Sequence, residues 1–147
     1  HQADLIAHIV EAGVPVMGHI GLTPQSIHHL GGHIVQGKGE DDAQQLIDDA
    51  KRLEQAGCFA IVLECIPNKL GDCVSHAVSV PTIGIGAGPH TDGQVLVLHD
   101  LLGADPDFCP KFLRRYANVN QIVAGALNDF HEDVRSQSFP APQETYG

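Results

Sequence analysis

The chain has 147 residues, 43% of them hydrophobic, with 16 glycines and 9 prolines, which supports one globular core. Its formal net charge is −10, from 8 Lys and Arg against 18 Asp and Glu, and this argues against nucleic acid and anionic membrane surfaces as partners. No run of about 18 apolar residues is present and no basic-then-apolar leader opens the chain; Cys58, Cys65, Cys73 and Cys109 form no Cys-x-x-Cys and read as reduced, mostly buried thiols of a cytoplasmic protein.

Residues 2–12 carry Leu5, Ile6, Ile9 and Val10 at helical spacing, and Gly13 stands where a helix C-cap belongs. Residues 14–20 then read as a strand, so helix passes to strand with almost no loop, as at the joint of an α/β unit. From Gly21 to Gly39 the sequence is rich in turn residues and has no helical period. It is longer than a minimal strand-to-helix loop, which points to function.

Residues 41–56 give the clearest helix, with Leu46, Ile47, Ala50, Leu53 and Ala56 on one stripe, Asp41 and Asp42 at its start and Gly57 at its end. Residues 59–67 read as a buried parallel strand that ends at Pro67. Pro67 can open a short helix that turns Leu70, Val74 and Ala77 inward. The next strand covers residues 80–85 and runs into Gly84-Ile85-Gly86-Ala87-Gly88. Asp92-Gly93 reads as a turn and residues 94–100 as a further strand. Helix is expected over residues 110–116 and 120–135, the latter with Ile122, Leu127, Phe130 and Val134 inward. Residues 136–147 read as an extended arm.

Alternating helix and strand of this kind predicts a parallel sheet, and the short spacing without a dinucleotide fingerprint favours a barrel over an open sheet. Four strands do not close a barrel, since a complete one needs about 250 residues. The chain therefore either pairs with a second copy or belongs to a longer polypeptide, as its first residue, His1, also suggests.

Glu64 is the anomaly of its strand. A carboxylate at the end of an apolar strand is costly to desolvate unless something uses or pairs it, and in parallel barrels that end carries the active site. The plainer alternative is that Glu64 reaches solvent. His19, at the end of its own strand, can donate to an anionic substrate or an enolate oxygen. On spacing alone a hydrogen-bonded core histidine is the simpler reading.

No two of the ten histidines have convincing metal-ligand spacing; His29 and His33 are four apart, but Gly31 and Gly32 lie between them. The glycine run 84–88 is followed by Pro89 and so departs from the nucleotide pattern. It reads as a tight turn or as a strand end that lets an anion approach. Asp100 reads best as a cap.

Several blocks go further. Ala12-Gly13-Val14-Pro15-Val16-Met17-Gly18-His19-Ile20-Gly21-Leu22-Thr23-Pro24-Gln25-Ser26 resembles the most distinctive block of the ketopantoate hydroxymethyltransferase family. Gly31-Gly32 with Val35-Gln36-Gly37-Lys38, Val62-Leu63-Glu64-Cys65-Ile66-Pro67, and Ile83 to Gly88 followed by Thr91-Asp92-Gly93-Gln94 are similar to further family blocks, in order. The resemblance covers nearly the whole chain; the ending Pro142-Gln143-Glu144-Thr145-Tyr146 departs from it.

The resemblance implies a (β/α)8 TIM barrel of the phosphoenolpyruvate/pyruvate type, of which this chain supplies about the last four strands and the C-terminal helices. Residues 1–103 would hold the βα units, 104–135 the helices and 136–147 the tail. It implies hydroxymethyl transfer from 5,10-methylenetetrahydrofolate to 3-methyl-2-oxobutanoate, giving 2-dehydropantoate in pantothenate synthesis. Mg²⁺ or another divalent ion would stabilise the enolate. Glu64 falls at the proton acceptor and His19 at a substrate-binding histidine. The metal-binding acids, with a substrate-binding Ser and Lys, belong to the preceding strands, so no metal ligand is expected here. These residues alone are expected to turn nothing over. A homo-oligomer, such as a decameric ring, is also implied. A metal-dependent lyase of 2-oxo acids on the same barrel, or a non-catalytic half-barrel, are the competing readings.

Overall fold

A computed structural model describes residues 3–23 and 34–147. The histidines at positions 29 and 33, and much of the excursion after the first strand, lie outside the described residues. The chain divides into two compact units, residues 1–95 and 96–147.

In the first unit α1 (Ala3–Glu11), β1 (Met17–Gly21), α2 (Glu40–Gln55), β2 (Ala60–Glu64), α3 (Asn68–Ala77), β3 (Thr82–Ile85) and β4 (Gly93–Gln94) follow in order. All strand pairs are parallel and the strand order is β1-β2-β3-β4. The sequence pattern is thus realised as an α/β sheet laid down strand by strand. Gly13 ends α1 with φ +86, and Gly57 ends α2 with φ +92, a conformation that disfavours side chains.

Helices α2 and α3 pack on one face of the sheet. Ala50 of α2 and Leu70 and Val74 of α3 are buried with Ile20, Ile61, Leu63, Ile66 and Ala87. Gly18 permits the close approach of α2, because a Cβ there would lie 2.8 Å from Leu53 Cδ1. Residues alternate across the pleat, so His19, Val62, Glu64, Ile83 and Ile85 turn to the other face, where they stay partly exposed. That alternation, set by the sequence, is what brings polar groups together on one side of an otherwise apolar sheet.

Two carboxylates tie the connections down. Glu54 accepts hydrogen bonds from Ser79 N at 2.7 Å, from Ser79 Oγ and from Val80 N at 3.3 Å, which fixes the approach to β3. Asp92 Oδ2 accepts from Thr82 N at 2.8 Å and from Thr82 Oγ1 at 2.9 Å. Thr82 is the buried polar residue of this core and is fully satisfied, with Ser75 Oγ 2.7 Å from its hydroxyl. Asp92 therefore acts as a clasp between the start of β3 and the start of β4, a role beyond the predicted turn.

The fourth strand is much shorter than the sequence predicts. Its register is Ile83↔Gly93 and Gly84↔Gln94, and Val95 N still donates to Gly84 O at 3.0 Å. Beyond that point β3 has ended, because Gly86 turns away at φ +68, and no rungs remain to pair with. The apolar run that follows goes instead into the second unit, where α4 (Leu98–Leu101) replaces the predicted strand. Asp100 lies within that helical turn.

The second unit also holds α5 (Val119–Ser136) and a 3-10 turn, Pro142–Glu144, within the predicted arm. No helix forms over residues 110–116. Arg115 Nη2 instead donates to the carbonyls of Asp105, Pro106 and Phe108, at 3.0, 2.9 and 2.9 Å, and its guanidinium organises the loop in place of a helical ladder. The α5 stripe is not inward: Ile122, Leu127, Phe130 and Val134 are 70, 63, 52 and 47% exposed. Phe130 does meet the Phe139 ring edge-on at 5.3 Å. Among the cysteines only Cys58 is buried; Cys65 is intermediate and Cys73 and Cys109 are exposed, so the expectation of mostly buried thiols does not hold, although all four are free.

Candidate active site

Glu64 is the last residue of β2 and pairs in register with Gly21, the last residue of β1. His19 stands two residues before Gly21 and therefore turns to the same face as Glu64. His19 Nε2 lies 3.0 Å from Glu64 Oε2, and the two side chains are 31 and 19% exposed. The sequence placed both residues at strand ends without joining them; the parallel register brings them into contact.

The contact is close but misaligned. His19 Nε2 is buried and has no hydrogen-bond partner among the described residues, so the Glu64 oxygen is within ion-pair reach without lying along a hydrogen-bonding direction. A buried, unmet ring nitrogen beside a carboxylate is costly in a purely structural setting. Among the described residues nothing satisfies this nitrogen, which leaves it open to a ligand or to residues outside those described. Together the pair offers one group able to accept a proton and one able to donate to, or orient, an anionic ligand.

The strand ends are held by backbone bonds. Leu22 N donates to Glu64 O at 2.9 Å, Cys65 N to Ile85 O at 2.9 Å, and Gln36 N to Cys65 O at 2.9 Å. Gly21 has φ +91, and a Cβ there would fall 2.1 Å from Glu64 O. Burial, and secondarily the Glu64 charge, push the Cys65 thiol above its ordinary range. Nothing in the sequence marked Cys65, because its unusual feature, φ +50, is a backbone property.

A cavity of about 430 Å³ touches His19 and Ile20 but is otherwise walled by Ala3 of α1 and by Gln45, Asp49, Arg52 and Leu53 of α2. Arg52 there is engaged by Asp49 at 3.3 Å. Glu64 does not line it, so the site is defined by the Glu64–His19 contact and not by this hollow. At Gly88 the run after β3 leaves no open cradle, since a Cβ there would sit 2.4 Å from Asn68 Oδ1. Tight packing on α3 accounts for that glycine. Among the described residues no three His, Cys, Asp or Glu side chains gather to hold a metal ion, and none is assigned as a ligand.

A sequential parallel sheet, with an acid and a histidine meeting at adjacent carboxyl ends, makes the chain an α/β protein with its candidate site where such sheets carry ligands. Residues 1–142 match the family described as ketopantoate hydroxymethyltransferase, and the chain belongs to it. It is 56% identical over 137 residues to a 3-methyl-2-oxobutanoate hydroxymethyltransferase of Anaeromyxobacter sp. (strain K), covering 93% of this chain and 45% of that protein. The like-named protein of Geobacter metallireducens is 54% identical over 140 residues, covering 95% of this chain and 52% of that protein. That of Coxiella burnetii (strain RSA 493 / Nine Mile phase I) is 51% identical over 140 residues, covering 95% and 53%. The chain spans about half the length of the curated relatives it matches. No helix among the described residues is long and apolar enough to cross a membrane.

Proposed function

We propose that the protein carrying this chain transfers a hydroxymethyl group from 5,10-methylenetetrahydrofolate to 3-methyl-2-oxobutanoate, giving 2-dehydropantoate for pantothenate synthesis. The observation that carries this reading is the Glu64–His19 pair at 3.0 Å at the strand ends, with an imidazole nitrogen that no described residue meets. Family membership supplies the reaction class.

In this reading Glu64 accepts the proton from C3 of the 2-oxo acid. The C3–H bond breaks, its electron pair forms the C2=C3 bond of the enolate, and negative charge develops on the C2 oxygen. His19, whose ring is partly exposed beside Glu64, helps hold the bound acid against it. C3 of the enolate is then the nucleophile toward the one-carbon unit. A divalent ion such as Mg²⁺ would act as a Lewis acid toward the 2-oxo acid and would be held by residues other than those assigned here.

The same proposal includes completion of a (β/α)8 barrel by residues corresponding to the uncovered part of the relatives, assembly into a homo-oligomer, and a cytoplasmic location. The test is incubation of the protein with 3-methyl-2-oxobutanoate in D₂O, with NMR of the C3 position, followed by addition of the folate and assay of 2-dehydropantoate. Deuterium at C3 and folate-dependent product are expected. Cleavage of the 2-oxo acid's carbon–carbon bond without folate would overturn the transferase reading in favour of a lyase.

A further inference from the structure

The end of β2 must serve two destinations within three residues. In an extended strand residues 64 and 66 would lie on the same face. Here Glu64 reaches His19 on the partly exposed face, whereas Ile66 is 3% exposed and packs in the core with Leu63 and Leu70. The residue between them, Cys65, has φ +50, a region that few residues other than glycine occupy. That one left-handed residue reverses the alternation. Its neighbours over-determine it: Leu22 N donates to Glu64 O, Cys65 N to Ile85 O, and Gln36 N to Cys65 O, each at 2.9 Å. Strain held in this way beside a candidate acid or base is the pattern seen where backbone conformation serves function.

We propose that Cys65 is a positioning residue for Glu64, acting through its left-handed backbone and not through its thiol. The backbone at 65 turns residue 66 to the core while residue 64 keeps the face that the β2 register gives it, and Pro67 then leads directly into α3. The thiol is held in its protonated form by burial and by the adjacent Glu64, which agrees with a passive side chain. The catalytic consequence rests on the reading of Glu64 as proton acceptor; the geometric consequence does not.

The experiment compares Cys65→Gly, Cys65→Asn, Cys65→Ser and Cys65→Val in the protein. One measurement is the ¹⁵N resonance of His19 Nε2 without substrate, with Glu64→Gln as the reference for a lost contact. The other is C3-proton exchange of 3-methyl-2-oxobutanoate in D₂O. Gly and Asn tolerate positive φ, so both are expected to keep the wild-type resonance and exchange rate. Val does not, and is expected to move the resonance to its Glu64→Gln position and to slow exchange by about 10²-fold, the effect of a small misplacement. If Val does not fold, the Gly and Ser variants decide: exchange and resonance retained in Gly support the proposal. Loss in Gly with retention in Ser would overturn it, as would a Val variant indistinguishable from wild type. A wild-type protein that exchanges no proton refutes the functional reading, while the resonance still decides the role of Cys65.

Discussion

Gly21→Ala is the sharpest test of how the strand ends hold the site. Gly21 has φ +91, where a side chain costs about 1–2 kcal/mol by its conformation alone. The added methyl would also begin 2.1 Å from Glu64 O and 2.9 Å from Ile66 Cγ2. The first is backbone in a parallel ladder and cannot rotate aside, so β1 and β2 must separate. Overpacking of this kind costs about 1–3 kcal/mol, and the Leu22 N–Glu64 O bond, worth about 1 kcal/mol net, is stretched as they part. The total expected loss is about 3–6 kcal/mol. The assay is urea unfolding followed by circular dichroism, with the change in midpoint multiplied by the slope. A loss under about 1 kcal/mol would refute the reasoning, since it would fall short even of the conformational cost.

Glu64→Gln is expected to slow C3-proton exchange by about 10²–10⁴-fold with substrate affinity retained, because the amide keeps size but accepts no proton; normal exchange would leave Glu64 a strand-end surface residue. Glu54 and Asp92 are held below the usual carboxylate range, Glu54 by hydrogen bonds from Ser79 and Asp92 by those from Thr82. Their folded pKa values are depressed, so the stability they contribute is present above the ordinary carboxylate range and lost as pH falls through it and below. Unfolding measured from neutral to acid pH should show that loss, and Glu54→Gln with Asp92→Asn should flatten it. Leu63→Ala, in the fully buried strand position, should cost about 2–5 kcal/mol by the same urea assay.

The sequence made the first unit legible because its signals were local. Apolar stripes at helical spacing, glycines at helix ends and short apolar runs before turn residues are properties of neighbouring residues, and α1 through β3 appeared where these signals lay. Glu64 was visible because a charge interrupted an apolar run. Its partnership with His19 was not, since that depends on the register of strands about 45 residues apart in sequence. The same holds for β4: an apolar run of strand composition cannot pair past the point where its neighbour ends. In the second unit a helix was expected at residues 110–116, yet Arg115 satisfies the loop carbonyls from its side chain, a choice that no local period records. Cys65 was hidden for another reason, because nothing in residue type announces a left-handed backbone outside glycine and asparagine.

The meeting of α3 with the turn after β3 has a consequence for how such a chain can drift. A Cβ on Gly71 would lie 2.3 Å from Ala87 O, and one on Gly88 would lie 2.4 Å from Asn68 Oδ1. Helix and turn are thus cut to each other as two halves of a joint, with no slack for one more carbon on either side. Neither glycine can be given a side chain while the other half stays as it is. A lineage that enlarges residue 71 would have to recast the turn at 87, and one that enlarges residue 88 would have to recast the helix start at 68, although the chain separates each pair by some twenty residues.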